Sequence, residues 1–209
     1  MTIFNNKKII IIDSNFCNVG SVYRSIKKIG YEAIVTKNAK QFSSASHIIL
    51  PGVGSFDSGM KNLQENELGE QIKYAATNKS IPLLGICLGM HLLGTVGFEN
   101  GETKGLDLIS GTVKKFNLNK KYKIPHMGWN EVFFNTKNKI FKNIEDQKDF
   151  YFVHSYYFEA KDQSNIIGKT VYGEEFASII NKENIFGVQF HPEKSLKFGI
   201  KILENFLKL

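Results

Sequence analysis

The sequence predicts an α/β protein: a single open, twisted, mostly parallel sheet flanked by helices, passing into an antiparallel, β-rich second half. Three observations predict it. Strand-length apolar runs alternate with segments of helical period as far as Leu93, a pattern that favours parallel pairing. From Leu106 onward, aromatic and β-branched runs separated by Asn, Lys and Gly suggest hairpins. At 209 residues and 42% hydrophobic, without a repeat, low-complexity tract or linker, the chain can bury one substantial core and is expected to form one domain, 1–209.

The elements follow in order. Ile9–Ile12 is an apolar run of strand length, and Val22, Ile26 and Ile29 then recur on one face of a helix. Residues 33–35 and 48–50 read as short strands, and Leu63, Leu68 and Ile72 mark helical segments between the second of these and a buried strand at 83–86. A helix is expected to begin at Leu88, and Leu196, Ile200, Leu203 and Leu207 belong to a closing helix. Lys120, Lys121 and Lys123 fall in an expected hairpin turn after Asn117-Leu118-Asn119.

Chemistry enters at Gly85-Ile86-Cys87-Leu88-Gly89. Glycines on both sides permit a sharp strand-to-helix reversal with Cys87 at its apex, the cysteine counterpart of the Gly-x-Ser-x-Gly nucleophile elbow. Such a turn exposes the sulfur at the carboxyl end of a sheet and aims helix amides at it, favouring thiolate. The same residues also admit a small buried core cysteine.

A cysteine nucleophile needs a base. Of the five histidines only His191 arrives with an acid, in the run Gln189-Phe190-His191-Pro192-Glu193 that closes an apolar strand. With a strand's period of two, His191 and Glu193 point the same way, so the carboxylate can orient the imidazole and stabilise its charged form. A third segment, Pro51-Gly52-Val53-Gly54-Ser55-Phe56 after the strand at 48–50, can turn backbone N–H groups toward an oxyanion beside the N–H of Leu88. Taken alone, a Gly-x-Gly loop after a strand is more often an ordinary turn or a phosphate cradle.

Together with Pro125-His126-Met127-Gly128-Trp129-Asn130, Tyr151-Phe152-Val153-His154-Ser155-Tyr156 and Gly187-Val188-Gln189-Phe190-His191-Pro192-Glu193-Lys194-Ser195, these segments resemble the class I (triad) glutamine amidotransferases, whose fold is flavodoxin-like. The resemblance spans nearly the whole chain and is closest to the glutaminase subunits of imidazole glycerol phosphate synthases. It implies hydrolysis of L-glutamine to glutamate and ammonia, with ammonia passing to a synthase (cyclase) subunit in a heterodimer, in histidine biosynthesis. It also implies Cys87, His191 and Glu193 as the triad, Val53, Gly54 and Leu88 as oxyanion donors, and His91, Glu99, His154, Ser155 and Tyr156 as the grip on glutamine. Trp129, Asn130 and Lys194 fall where a partner would dock.

Two departures bear on the pathway. The position four after the cysteine, usually glutamine in these enzymes, is His91, and the usual glycine-bearing exit of the first strand is Asp13-Ser14-Asn15-Phe16-Cys17-Asn18. They leave open a paralogue feeding a surface-sugar (acetamidino sugar) synthase, or a regulatory subunit with a weakened site. A cysteine peptidase of the same superfamily would share the triad, but is not expected to carry His-Met-Gly-Trp-Asn.

Composition narrows the remaining classes. The net charge of +7 is almost entirely lysine, with Arg24 the single arginine, which disfavours nucleic-acid readout. The histidines are dispersed without ligand spacing, so no metal or cofactor is expected. Two cysteines give no disulfide framework, and Cys17 is expected to be a small packed residue. The opening residues lack a leader pattern, and Ile9–Ile12 is too short for a membrane span, so the expected location is the cytoplasm.

Overall fold

The computed structural model describes residues 7–13, 19–134 and 137–209. Residues 14–18, which carry the altered first loop and Cys17, lie outside them. The first half contains β1 (Ile9–Ile12), α1 (Val19–Ile29), β2 (Ala33–Thr36), β3 (His47–Gly52), α2 (Phe56–Glu65), α3 (Leu68–Thr77), β4 (Leu83–Cys87) and α4 (Leu88–Leu92). Then come β5 (Val96–Gly97), β6 (Thr103–Lys104), β7 (Gly111–Lys115), β8 (His126–Phe134), β9 (Lys148–His154), β10 (Tyr156–Ala160), β11 (Ile166–Tyr172), β12 (Glu174–Lys182), β13 (Ile185–Val188) and α5 (Leu196–Phe206).

The parallel half of the sheet runs β2-β1-β3-β4-β13. β12 joins β13 antiparallel and carries the same sheet on through β10 and β7, so the whole is an open mixed sheet. A side branch runs from β12 to β11, β8 and β9, all antiparallel. Burial on both faces explains why β1, β4 and β13 are continuously apolar rather than alternating. Ile9 and Ile11 pack with Val22 and Ile26 of α1 and Phe206 of α5, while Ile10 and Ile12 pack with Leu63, Leu68 and Ile72 of α2 and α3.

Three local expectations change. The helix after Cys87 is only five residues long, because the loop following β6 takes over its last carbonyls: Leu106 N–H donates to Leu92 O at 2.9 Å and Leu108 N–H to Leu93 O at 2.9 Å. Asn119 does make a turn, with Tyr122 N–H on its carbonyl at 3.1 Å. Yet β7 and β8 do not pair across it, since β7 is taken by β5 and β10 and β8 by β9 and β11. Leu196 opens α5 with a positive φ of 48° and stands 71% exposed, so the buried face of that helix starts only at Gly199. Among the described residues no helix is long and apolar enough to cross a membrane.

Candidate active site

The parallel strands bring three chain segments to one edge: the loop after β3, the turn after β4 and the segment after β13. Cys87 ends β4 with φ 53° and ψ −110°, a conformation that costs a non-glycine residue about 1–3 kcal/mol and persists only where the surroundings enforce it. Close packing enforces it here. A β-carbon on Gly89 would lie 1.8 Å from the Leu50 carbonyl oxygen, and one on Gly85 2.5 Å from the Gly89 carbonyl oxygen. The flanking glycines therefore serve close approach of the turn to β3 and to itself.

His191 lies beyond β13 and is 3% exposed. Its Nδ1 donates to Glu193 Oε1 at 2.9 Å. The two meet across a 3-10 turn, Pro192–Lys194, and not along a strand, because β13 ends at Val188. Ser195, fully buried, braces that turn: its hydroxyl donates to His191 O at 2.6 Å and accepts the Tyr151 N–H at 3.0 Å. Burial alone would lower the His191 pKa, but its interactions with the Cys87 sulfur and the Glu193 carboxylate outweigh that and raise it to about 10. The ring is thus cationic at neutral pH, with Nδ1 committed to Glu193 and Nε2 left for the sulfur.

A cleft of about 370 Å³ opens in front of Cys87. Val53, Gly54 and Leu88 line it, as do His91, Glu99, His154, Ser155 and Tyr156, so every residue expected to face substrate borders one space. Glu99 Oε2 also accepts the N–H of Phe56, the first residue of α2, at 2.8 Å, and burial raises its carboxyl pKa. His91 does not extend freely into the cleft. Its Nε2 is 2.6 Å from Gln189 Oε1, and burial, only partly offset by that bond, lowers its pKa to about 4.

Three residues of this region were not singled out from sequence: Ser195, Gln189 and His126. Gln189 is fully buried, with Nε2 3.9 Å from Cys87 Sγ. His126 Nδ1 lies 3.0 Å from His154 Nε2, and His154 Nδ1 donates to Tyr156 O at 2.8 Å. The carbonyl fixes the tautomers in turn: His154 Nε2 accepts from His126 Nδ1, and His126 Nε2 accepts from Asn130 Nδ2 at 3.2 Å. Burial holds His126 at about 4 and His154 well below its ordinary value, so both rings are neutral. The strand alternation of the Pro125-His126-Met127-Gly128-Trp129-Asn130 run was the available signal for His126, since it turns even positions inward.

The other face of β8 is open and carries Met127 62%, Trp129 49% and Phe133 38% exposed, with the exposed Glu131 between the last two. Trp129 meets Tyr151 edge-on at 6.0 Å, and the Lys194 ammonium lies 5.6 Å from the centre of that same ring. Asn130 points away from this patch, its amide also donating to Val171 O at 3.0 Å.

A family model described as glutamine amidotransferase class-I matches residues 10–209. The chain is 53% identical over 200 residues to imidazole glycerol phosphate synthase subunit HisH 2 of Methanococcus maripaludis, covering 96% of this chain and 98% of that one. It is 44% identical over 203 residues to imidazole glycerol phosphate synthase subunit HisH of Moorella thermoacetica, covering 97% and 95%. Its fold is similar to the solved structure of PurLQS from Thermotoga maritima, with TM-score 0.75 at 17% identity over 97% of this chain and 98% of that one. The chain belongs to the class I glutamine amidotransferase family.

Proposed function

We propose that this chain is the glutaminase subunit of an imidazole glycerol phosphate synthase, working in histidine biosynthesis as one cytoplasmic domain over residues 1–209. It hydrolyses L-glutamine and hands the ammonia to a cyclase partner. The observation that carries the chemistry is the buried line Cys87, His191, Glu193 facing a cleft at the strand ends; near-full-length similarity to synthase subunits supports the pathway.

In this reading the Cys87 sulfur attacks the side-chain amide carbon of glutamine. The amide oxygen becomes an oxyanion met by backbone N–H groups of Leu88 and of Val53 and Gly54, donors worth about 3 kcal/mol each in the transition state. His191 gives its proton to the amide nitrogen, the C–N bond breaks, and ammonia leaves a thioester. The now neutral ring takes a proton from water as the oxygen adds to the thioester carbon, and collapse expels the sulfur and frees glutamate. Glu193 keeps the ring oriented throughout. Glu99, Ser155 and Tyr156 hold the α-amino and α-carboxylate groups, while His154, whose two ring nitrogens are already engaged by Tyr156 and His126, walls the same cleft with His91. Trp129 and Lys194, meeting on Tyr151, form the docking patch with Asn130 behind it.

Ammonia release from glutamine, measured for the isolated chain and with a cyclase subunit and its acceptor, tests the reading. Activity should rise on docking, and Cys87→Ala should lower it by about 10⁴-fold or more. Wild-type turnover in pure Cys87→Ala protein would remove the triad; turnover indifferent to any cyclase would remove the partnership.

A further inference from the structure

Resting on Cys87 as the nucleophile, we infer that Gln189 is a positioning residue for its sulfur, and that His91 acts by orienting the Gln189 amide.

A side-chain amide has one accepting and one donating end. His91 Nε2 stands 2.6 Å from Gln189 Oε1. At that separation the ring nitrogen must carry the hydrogen, because two lone pairs would repel. The bond fixes His91 as the Nε2–H tautomer and simultaneously turns the Gln189 NH₂ toward Cys87 Sγ, 3.9 Å away. Gln189 is fully buried and His91 4% exposed, so water does not compete for either end. On its other side the sulfur meets the Val153 carbonyl at 4.0 Å. That carbonyl accepts from a thiol and repels a thiolate. The Gln189 N–H does the reverse, and favours the ionised sulfur.

Among the described residues, four titratable groups besides Tyr156 of β10 share the cleft with the sulfur. His191 comes from the loop after β13 with Glu193 behind it, His154 from the end of β9 as a neutral ring, His91 from α4, and Glu99 from the far side of the cleft between β5 and β6. His191 supplies charge. Gln189 supplies direction, holding the sulfur by a neutral dipole whose orientation His91 sets.

The test reads the sulfur itself. The rate of iodoacetamide alkylation at Cys87, followed by the mass of its peptide, is measured against pH. Gln189→Met keeps the length and removes the donor, so the rising limb should move up by about one pH unit, a roughly tenfold loss of reactivity on that limb. His91→Leu should move it the same way by less, since the amide is then free to rotate. His91→Gln should restore the wild-type midpoint, because its amide N–H can still hold Oε1. An unchanged midpoint in folded Gln189→Met overturns the inference; should that variant not fold, an unchanged midpoint in His91→Leu overturns it. Alkylation does not require turnover, so this result stands apart from the Cys87→Ala test of the glutaminase reading.

Discussion

Acid should loosen this fold through His47 at the foot of β3. The ring is 3% exposed and meets Phe206 of α5 edge-on at 5.3 Å. Burial and the nearby Lys7 charge lower its pKa from 6.5 to about 4, against a smaller raising contact with the Phe206 backbone. The folded value lies below the unfolded one, so the unfolded chain binds the extra proton. His47 therefore contributes stability that is intact above pH 6.5, declines as pH falls, and is gone below about 4. At about 1.4 kcal/mol per pH unit the full loss is about 3 kcal/mol, of which about 2 kcal/mol has gone by pH 5. For a chain of 209 residues that corresponds to a melting point lower by about 4–8 °C. The assay compares thermal melts of wild type and His47→Leu at pH 7 and pH 5. Buried neutral His91, His126 and His154 titrate in both proteins and cancel in the comparison. His47→Leu should lose about 2 kcal/mol less than wild type over that interval; equal losses in the two proteins would refute a buried, neutral His47.

Three further outcomes are expected. Glu193→Gln keeps an acceptor for His191 Nδ1 but removes the charge, so glutamine hydrolysis should fall by about 10²–10⁴-fold and the alkaline limb of its pH profile should move to lower pH; an unmoved limb would show that Glu193 does not support the imidazolium. Gly89→Ala drives a β-carbon into the Leu50 carbonyl and should cost more than about 3 kcal/mol in urea unfolding, whereas wild-type stability would mean that the turn does not rest on β3. Trp129→Ala should weaken assembly with the cyclase at least about tenfold while leaving the melting point of the isolated chain within about 2 °C; an unaffected titration would move the docking patch elsewhere.

Sequence alone determined whatever is local along the chain. The reversal at Cys87 was legible because its glycines sit two residues away on each side, and the His191–Glu193 contact because the two lie two positions apart, although it forms over a 3-10 turn instead of a strand. The parallel half was legible because burial on both faces leaves runs such as Ile9–Ile12 without a polar position. Only the tertiary structure decided which distant polar atoms meet. Gln189 reaches Cys87 from 102 residues away because β13 lies beside β4, and His126 meets His154 because β8 and β9 pair in the register that sets those two residues opposite each other. Trp129 and Lys194 share the Tyr151 ring for the same kind of reason. Periodicity states which face of a strand is buried, but a one-residue change of register would exchange every one of these partners without altering the apolar pattern of either strand taken alone. The packing of the whole sheet chooses the register, and with it the polar contacts that surround the sulfur.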